Sequence, residues 1–585
     1  MSEQNRTLLA IALMGLILMV FFSDWYQEKM APGSTQPRPK PHIESTLSST
    51  DTSSAVLRED SSDRTEQPSA PLAAADTVFD LVDIVITTPL VELHLSNKGG
   101  GTLQKVYLNN YLKKDSSRVQ LISEEASGVL SNEFIGYEIE SLNTQDLVAS
   151  VSLGDKSRYD IYVEDRPVSF SFEIPFGGDS RLVRTFTFYP DSFHFDLHQE
   201  LVNLGEINAG RYFATVWSGG VAPTEQNRKD DLYYSELYAL LGDDKSPTDY
   251  SADKSREVEV QTATTSWVAA RSKYFTAILI PETPISEFKS ERYQTTGADE
   301  HSEKIFNFEL RDSFDRRVDV GSSNFRVYVG PLDFEVLQTY GLYFEEMMNW
   351  GWFGIIGKGA LWVFKAIYGV IPNYGIVLII FSILVKLLLH PLTKKQFAST
   401  QNMQQAQPQV AALKEKYKDD PKRLNEETMK LYKELGINPL GGCLPLLIQM
   451  PILIAMFNLF RTTIELRGAA FKGLEFWIAD LSLPDTVGTI AGININLLPV
   501  IMSGTMILQQ KLMAPANNAN PQMKNMPYIM TAVFFFMFYT FPSGLNLYYT
   551  LFNLMSIAQQ ALTKKTPLPV VASSPVKPAS KKQKK

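Results

Sequence analysis

Gly375-Ile-Val-Leu-Ile-Ile-Phe-Ser-Ile-Leu-Val-Lys-Leu-Leu-Leu-His390 is an aliphatic run with a single cation inside it. A charge near the centre of a membrane span costs ~2.5–3.5 kcal/mol on insertion scales, so a lysine there usually faces a polar cavity. Ser382, Lys386 and His390 recur at intervals of four and Thr393 follows three later, which places them on one face of a helix. The alternative is snorkelling: Lys386 lies about a turn from the end of the run, and its long stem could reach headgroups.

Working outward, further apolar stretches lie at about 440–460, 494–512, 527–541 and 544–562. With 374–391 they make five expected spans. The last carries Asn546, Tyr549 or Thr550, Asn553, Ser556 and Gln560 at helical spacing, and Gln449, Ser503, Thr505 and Gln509 add polar groups elsewhere. For any one hydroxyl, pairing across a helix interface is the simpler account. Several polar stripes together with a cation favour a shared hydrophilic pocket. Tyr528 to Phe541, held between Pro527 and Pro542, reads as a span of only about 21 Å against a ~30 Å hydrocarbon core, which would thin the bilayer locally.

The connections carry the orientation. Residues 391–439 hold nine Lys+Arg, 511–527 holds Lys511 and Lys524 with no acid, and the tail after Ala561 holds seven Lys with no acid. The 461–493 loop has three bases and four acids. By the positive-inside rule, both termini and the 391–439 loop are expected in the cytoplasm, with the large N-terminal domain across the membrane. Within 391–439, Met403, Ala406, Val410, Leu413 and Tyr417 keep a 3-4 spacing, Asp419-Asp-Pro421 interrupts it, and Leu424, Leu431 and Leu435 resume it. Two amphipathic helices in a hairpin are expected, the first kinked at Pro408.

The remainder of the 585 residues differs in kind. Residues 346–585 have 24 Lys+Arg against 11 Asp+Glu, a net +13, so the overall −9 leaves −22 for residues 1–345. The apolar run Leu8 to Phe22 follows Arg6 and precedes Ser23-Asp-Trp-Tyr26 without a small-residue cleavage pattern, and reads as an uncleaved signal anchor. Ala31 to about Asp76 is rich in Pro, Ser and Thr and reads as a disordered tether. Residues 77–330 show period-two runs such as Val168-Ser-Phe-Ser-Phe-Glu-Ile174, broken by turns such as Asn97-Lys-Gly-Gly-Gly101, which indicates a large β-sandwich. Residues 331–350 shift to helical spacing and end in Trp350, Trp352 and Phe353, an expected interfacial connector.

Other chemistry finds little footing. The single cysteine, Cys443, excludes a disulfide framework or a multi-thiolate zinc site within one chain. Gly351-Trp-Phe-Gly-Ile-Ile-Gly-Lys358 resembles a P-loop but lacks its spacing and its Ser/Thr. His194, Asp196 and His198 share a strand face and could bind a metal, although a solvated polar face accounts for them more simply.

Gly441-Gly-Cys-Leu-Pro-Leu-Leu-Ile-Gln-Met-Pro451 and Phe541-Pro-Ser-Gly-Leu-Asn-Leu-Tyr-Tyr549 closely resemble the YidC/Oxa/Alb family of membrane protein insertases. The order of elements resembles the Gram-negative YidC form. The resemblance implies a multidomain protein of the inner membrane: an N-terminal transmembrane anchor (1–23), a periplasmic tether (24–76), a periplasmic all-β supersandwich (77–330), an interfacial helix and connector (331–373), an all-α five-span core (374–562) with a cytoplasmic hairpin (397–435), and a basic tail (563–585). It implies a non-enzymatic insertase and chaperone without cofactor or metal. Its hydrophilic groove maps onto Lys386, Ser382, His390, Gln449, Asn546, Tyr549 and Asn553, and its substrate slide onto Met450, Ile454, Phe457, Phe534 and Phe538. Implied partners are nascent membrane proteins, the Sec translocon, the ribosome through the hairpin and tail, and the lipid bilayer, with no specific nucleic-acid sequence. One departure stands out: the family usually has arginine where this chain has Lys386, so bidentate capture of a carboxylate is lost while the charge is kept. The competing readings are a secondary transporter using Lys386 and a membrane-anchored periplasmic carbohydrate-active protein.

Overall fold

The computed structural model describes residues 79–562 except 125, 137–140, 204–209, 296–301, 314–319, 419, 437–443 and 514–520. The anchor, the tether, the basic tail and Cys443 lie outside the described residues. The chain divides into two compact units, with the boundary between Met348 and Asn349.

The first unit is built of antiparallel strands whose alternation follows the sequence. In Val168–Gly177, Ser180–Phe188 and His194–Val202 every second residue is buried. Registers Phe186↔Phe170 and Phe186↔Leu197 bring the aromatic row of three neighbouring strands onto one face. These strands belong to a nine-stranded sheet, beside which lie a six-stranded and a five-stranded sheet. Phe275–Pro281, near the sheet centre, is buried at all seven positions, as expected of a strand covered on both faces. The sheets are tied through their interior by polar groups: Asn132 Nδ2 donates to Gln199 Oε1 at 2.7 Å, and Gln199 Nε2 to Thr215 Oγ1 at 2.9 Å.

Arg184 is a second interior tie. It is fully buried and donates to the carbonyl oxygens of Gly99, Gly100 and Leu130 at 2.6–3.0 Å. Burial without an acidic partner lowers its pKa to about 9. Gly99, Gly100 and Gly101 all have positive φ, and a Cβ on Gly101 would lie 2.6 Å from the Phe172 ring. The three-glycine turn is therefore required both by its backbone and by the aromatic row beneath it. Short helices α1 (Arg228–Tyr234) and α2 (Phe334–Gln338) complete this unit.

The second unit is helical: α3 (Gly354–Tyr368), α4 (Tyr374–Leu388), α5 (His390–Lys416), α6 (Pro421–Glu434), α7 (Leu444–Thr462), α8 (Leu497–Met513), α9 (Pro521–Phe538) and α10 (Ser543–Leu562). α10 packs on α4, α7 and α8, while α3 packs on α4 and α7. Among the described residues no helix is long and apolar enough to cross a membrane. α4 and α8 have only 15 and 17 residues, and α10, with 20, carries a polar stripe.

One boundary differs from the sequence reading. α9 begins at Pro521, not after Pro527, so it is about 27 Å long at ~1.5 Å per residue instead of about 21 Å. Pro521 takes the first helical position, where a missing N–H costs nothing. Among the described residues the shortest apolar helices are α3 and α4, each about 22 Å. In the connector, residues 331–350 hold α2 and a 3₁₀ turn at Phe344–Met348, and the longer helix of 331–373 is α3. The glycines of the P-loop lookalike serve packing, because a Cβ on Gly354 or Gly357 would meet Trp350 at 2.7 or 2.9 Å.

Candidate functional site

α4 starts with Asn373 as its cap, the side chain accepting from the N–H groups of Gly375 and Ile376. The helix then turns Ser382 and Lys386 inward while Ile383, Leu384, Leu387 and Leu388 face outward. Lys386 is 7% exposed. Its Nζ donates to Ser556 Oγ of α10 at 2.7 Å, and Ser556 in turn donates to its own helix at Phe552 O. The ammonium lies 4.3 Å from the centroid of the Phe552 ring and 5.9 Å from that of Phe397 on α5. Among the described residues no carboxylate pairs with it. A buried cation held by a neutral hydroxyl and aromatic faces retains unspent donors and is receptive to an anion.

The other expected groove residues are distributed around α10. Asn546 is fully buried and donates to Phe538 O and Phe541 O, securing the end of α9. Asn553 donates to Thr505 Oγ1 of α8 at 3.3 Å. The Gln449 side chain of α7 faces the Tyr549 hydroxyl, which has no aligned hydrogen-bond partner among the described residues. Ser382 turns its hydroxyl back onto Leu378 O at 2.7 Å. His390 is exposed, starts α5, and meets the Gln559 amide at 3.1 Å, which also contacts Thr393. Lys386, Ser556, His390, Thr393 and Gln559 thus line the seam of α10 with α4 and the start of α5, whereas Asn546, Tyr549 and Asn553 serve the α7, α8 and α9 sides of α10.

Buried polar atoms without an aligned protein partner cluster on α8 and α10: Ser503 Oγ, Asn546 Oδ1, Tyr548 OH and Tyr549 OH. Such atoms are costly unless water or another polar group reaches them. The expected slide residues are arranged differently. Phe457, Phe534 and Phe538 are buried; Phe457 meets Phe541 with centroids 4.7 Å apart, and Phe538 meets Phe534, Phe541 and Tyr549 in tilted or edge-on contacts. Ile454 is buried and Met450 is half-buried. On α9 the outward residues are Tyr528, Ile529 and Phe536.

Phe552, Phe397 and Gln559 carry contacts that the spacing argument missed. Gln559 could have been found, since it lies three residues beyond Ser556 on the same helix. The two rings could not, because ring-to-ammonium contacts across helices leave no local periodicity. The hairpin of α5 and α6 closes on Ala406, Leu431 and Leu435, with Met403, Val410, Leu413 and Tyr432 packed around them. In the first unit, the polar strand face pairs internally: Asp196 with Arg326, His194 with Tyr340, His198 with Asn324. No metal-binding group of residues occurs among the described residues.

The sequence profile described as "60Kd inner membrane protein" matches residues 366–568, and that described as "YidC periplasmic domain" matches residues 83–363. The protein named "Membrane protein insertase YidC" from Chlorobium limicola is 32% identical over 569 residues, covering 95% of this chain and 94% of that protein. Its namesake from Prosthecochloris aestuarii is 34% identical over 505 residues, covering 83% and 84%. That from Chloroherpeton thalassium is 31% identical over 598, covering 99% and 100%. Among solved structures, an active YidC insertase with its first transmembrane domain resolved is 19% identical, covers 84% of this chain and 95% of that one, and has a TM-score of 0.35. With a third of its residues shared along almost the whole length, and both profiles matched in order, the chain belongs to the YidC family of membrane protein insertases, a non-enzymatic family.

Proposed function

We propose that this protein inserts and folds integral membrane proteins in the bacterial inner membrane, alone or together with the Sec translocon. The observation that carries the reading is Lys386: a buried cation between α4 and α10 whose one hydrogen bond goes to a neutral hydroxyl. A polar, acidic segment of an incoming protein replaces that partner at a favourable site, while its apolar helix leaves along the outward face of α7 and α9. The unpartnered polar atoms of α8 and α10 give the same segment further places to bond. In this reading α4, α7, α8, α9 and α10 cross the membrane, with residues 1–23 as a further anchor. The termini and the α5–α6 hairpin are cytoplasmic, and residues 77–330 are periplasmic. Short α4 thins the bilayer next to the cation, lowering the barrier to polar segments. The hairpin and the lysine-rich tail receive ribosome-bound clients. α3, with Ile355 and Trp362 outward and exposed Trp352 just before it, lies at the membrane surface.

Reconstitution of the full chain into liposomes, with a small single-span substrate bearing an acidic translocated tail, tests this by protease protection. Protection well above that of protein-free liposomes is expected; equal protection sinks the reading. Lys386→Arg retains activity. Lys386→Glu lowers insertion of the acidic-tailed substrate about tenfold or more, equivalent to ~1.4 kcal/mol, and spares an uncharged tail. Undiminished insertion of the acidic tail by the Glu variant removes the role assigned to the charge.

A further inference from the structure

Between α7 and α8 the strands Thr486–Ile490 and Ile493–Asn496 form an isolated two-stranded hairpin. Its turn residues Ala491 and Gly492 both have positive φ, 51° and 79°, the tight geometry that suits a two-residue hairpin. From Thr486 to Gln510 the chain has no charged residue. Val487, Ile490 and Ile493 are 47%, 67% and 65% exposed, and the outward apolar row continues into α8 through Leu497, Val500 and Ile501.

The polar side chains of this hairpin are turned on one another. Thr486 Oγ1 donates to Asn496 Oδ1 at 2.7 Å, and Thr489 Oγ1 to Asn494 Oδ1 at 2.9 Å. Asn496 Nδ2 donates to Tyr539 O at 2.6 Å while the Tyr539 hydroxyl donates to Asn494 O, which fastens the hairpin to the residue just past α9. Water-exposed hairpins normally guard their edges with lysine or proline, and this one has neither. Its outer strand edges also decide its depth. Open edges do not occur in hydrocarbon, where no water meets their N–H and C=O groups, so the hairpin suits the headgroup boundary and not the bilayer core.

We propose that residues 486–496 are a membrane-interface anchor. The Ile490–Ile493 tip sits at the headgroup–acyl boundary of the leaflet on the α7–α8 loop side. Through Asn494, Asn496 and Tyr539 it fixes the adjoining end of α9 to that leaflet. This rests on the reading of the helical unit as membrane-embedded, and its partner is a lipid surface.

The test uses the full chain with Cys443→Ser and either Ile490→Cys or Phe536→Cys, each labelled with an environment-sensitive fluorophore, in phosphatidylethanolamine/phosphatidylglycerol vesicles. Phe536, 71% exposed on α9, reports the membrane reading itself. At 490 the expected result is blue-shifted emission, quenching at least twofold stronger by lipid spin-labelled near the headgroup than by lipid labelled deep in the chain, and protection from iodide. At 536 deep-label quenching dominates. If 536 behaves so while 490 is quenched by iodide alone, the anchor is overturned and the membrane reading stands. Iodide access at 536 overturns both. Shielding of 490 from iodide and lipid label alike also overturns the anchor, because a second copy or a client then covers the tip.

Discussion

At the scale of single residues, the partner of Lys386 matters as much as its charge. Placing a carboxylate where Ser556 stands, by Ser556→Asp, is expected to pair with the ammonium and abolish the preference for acidic-tailed substrates while leaving neutral tails unaffected. Protease protection of the two substrates side by side checks this. In the strand unit, His194 supplies a pH dependence. Burial, reinforced by the charge of Arg326 and opposed by Asp196, lowers its pKa from 6.5 to about 4, and its ring bonds to Tyr340. Between pH 6.5 and about 4 the unfolded chain binds a proton that the folded chain does not, so stability falls as pH falls through this window. Thermal unfolding of the full chain in detergent should show that slope, and His194→Gln should flatten it. Lys386 was legible in the sequence because a cation in an aliphatic run is costly, whereas the Phe552 and Phe397 rings around it were not. Which slide residues are buried was not legible either, because apolar residues facing lipid and apolar residues facing other helices look alike in sequence.

At the scale of elements, α4 and α10 each have, as their second residue, a glycine that receives an aromatic ring. A Cβ on Gly544 would lie 2.3 Å from the Phe460 ring of α7, and one on Gly375 2.2 Å from the Phe471 ring. Phe460 is fully buried and cannot swing away cheaply. Gly544→Ala is therefore expected to destabilise the helical unit by about 1–3 kcal/mol. Gly504→Ala on α8, where nothing lies within 4 Å, should be neutral or stabilising by up to about 1 kcal/mol. Opposite shifts in detergent melting temperature distinguish the two, and equal shifts would count against ring packing as the cause. Strands were easily read because alternation is a two-residue signal, as in Val168–Gly177. The start of α9 was not, because Pro527 reads as a boundary while the chain ahead of it still meets helical requirements from Pro521 onward.

At the scale of the whole molecule, −9 is the sum of −22 in residues 1–345 and +13 in the remainder. If that division reflects two sides of a membrane, thiol labelling reports it directly. In a Cys443→Ser background, a membrane-impermeant reagent added to spheroplasts should label Glu164→Cys in the strand unit and leave Lys430→Cys in the α5–α6 hairpin untouched until the cells are lysed. Labelling of both from outside would reverse the proposed topology. Under the proposed function, the Lys386–Ser556 bond would bear on turnover as well as capture. A client carboxylate would have only a neutral hydroxyl to displace, so entry would carry no cost of breaking an ion pair. When the client left for the bilayer, Ser556 would still be there to accept the bond, and the ammonium would not be stranded. Such a site would be built to let go: its resting partner is weak enough to yield and near enough to return, which would reset the protein for the next chain.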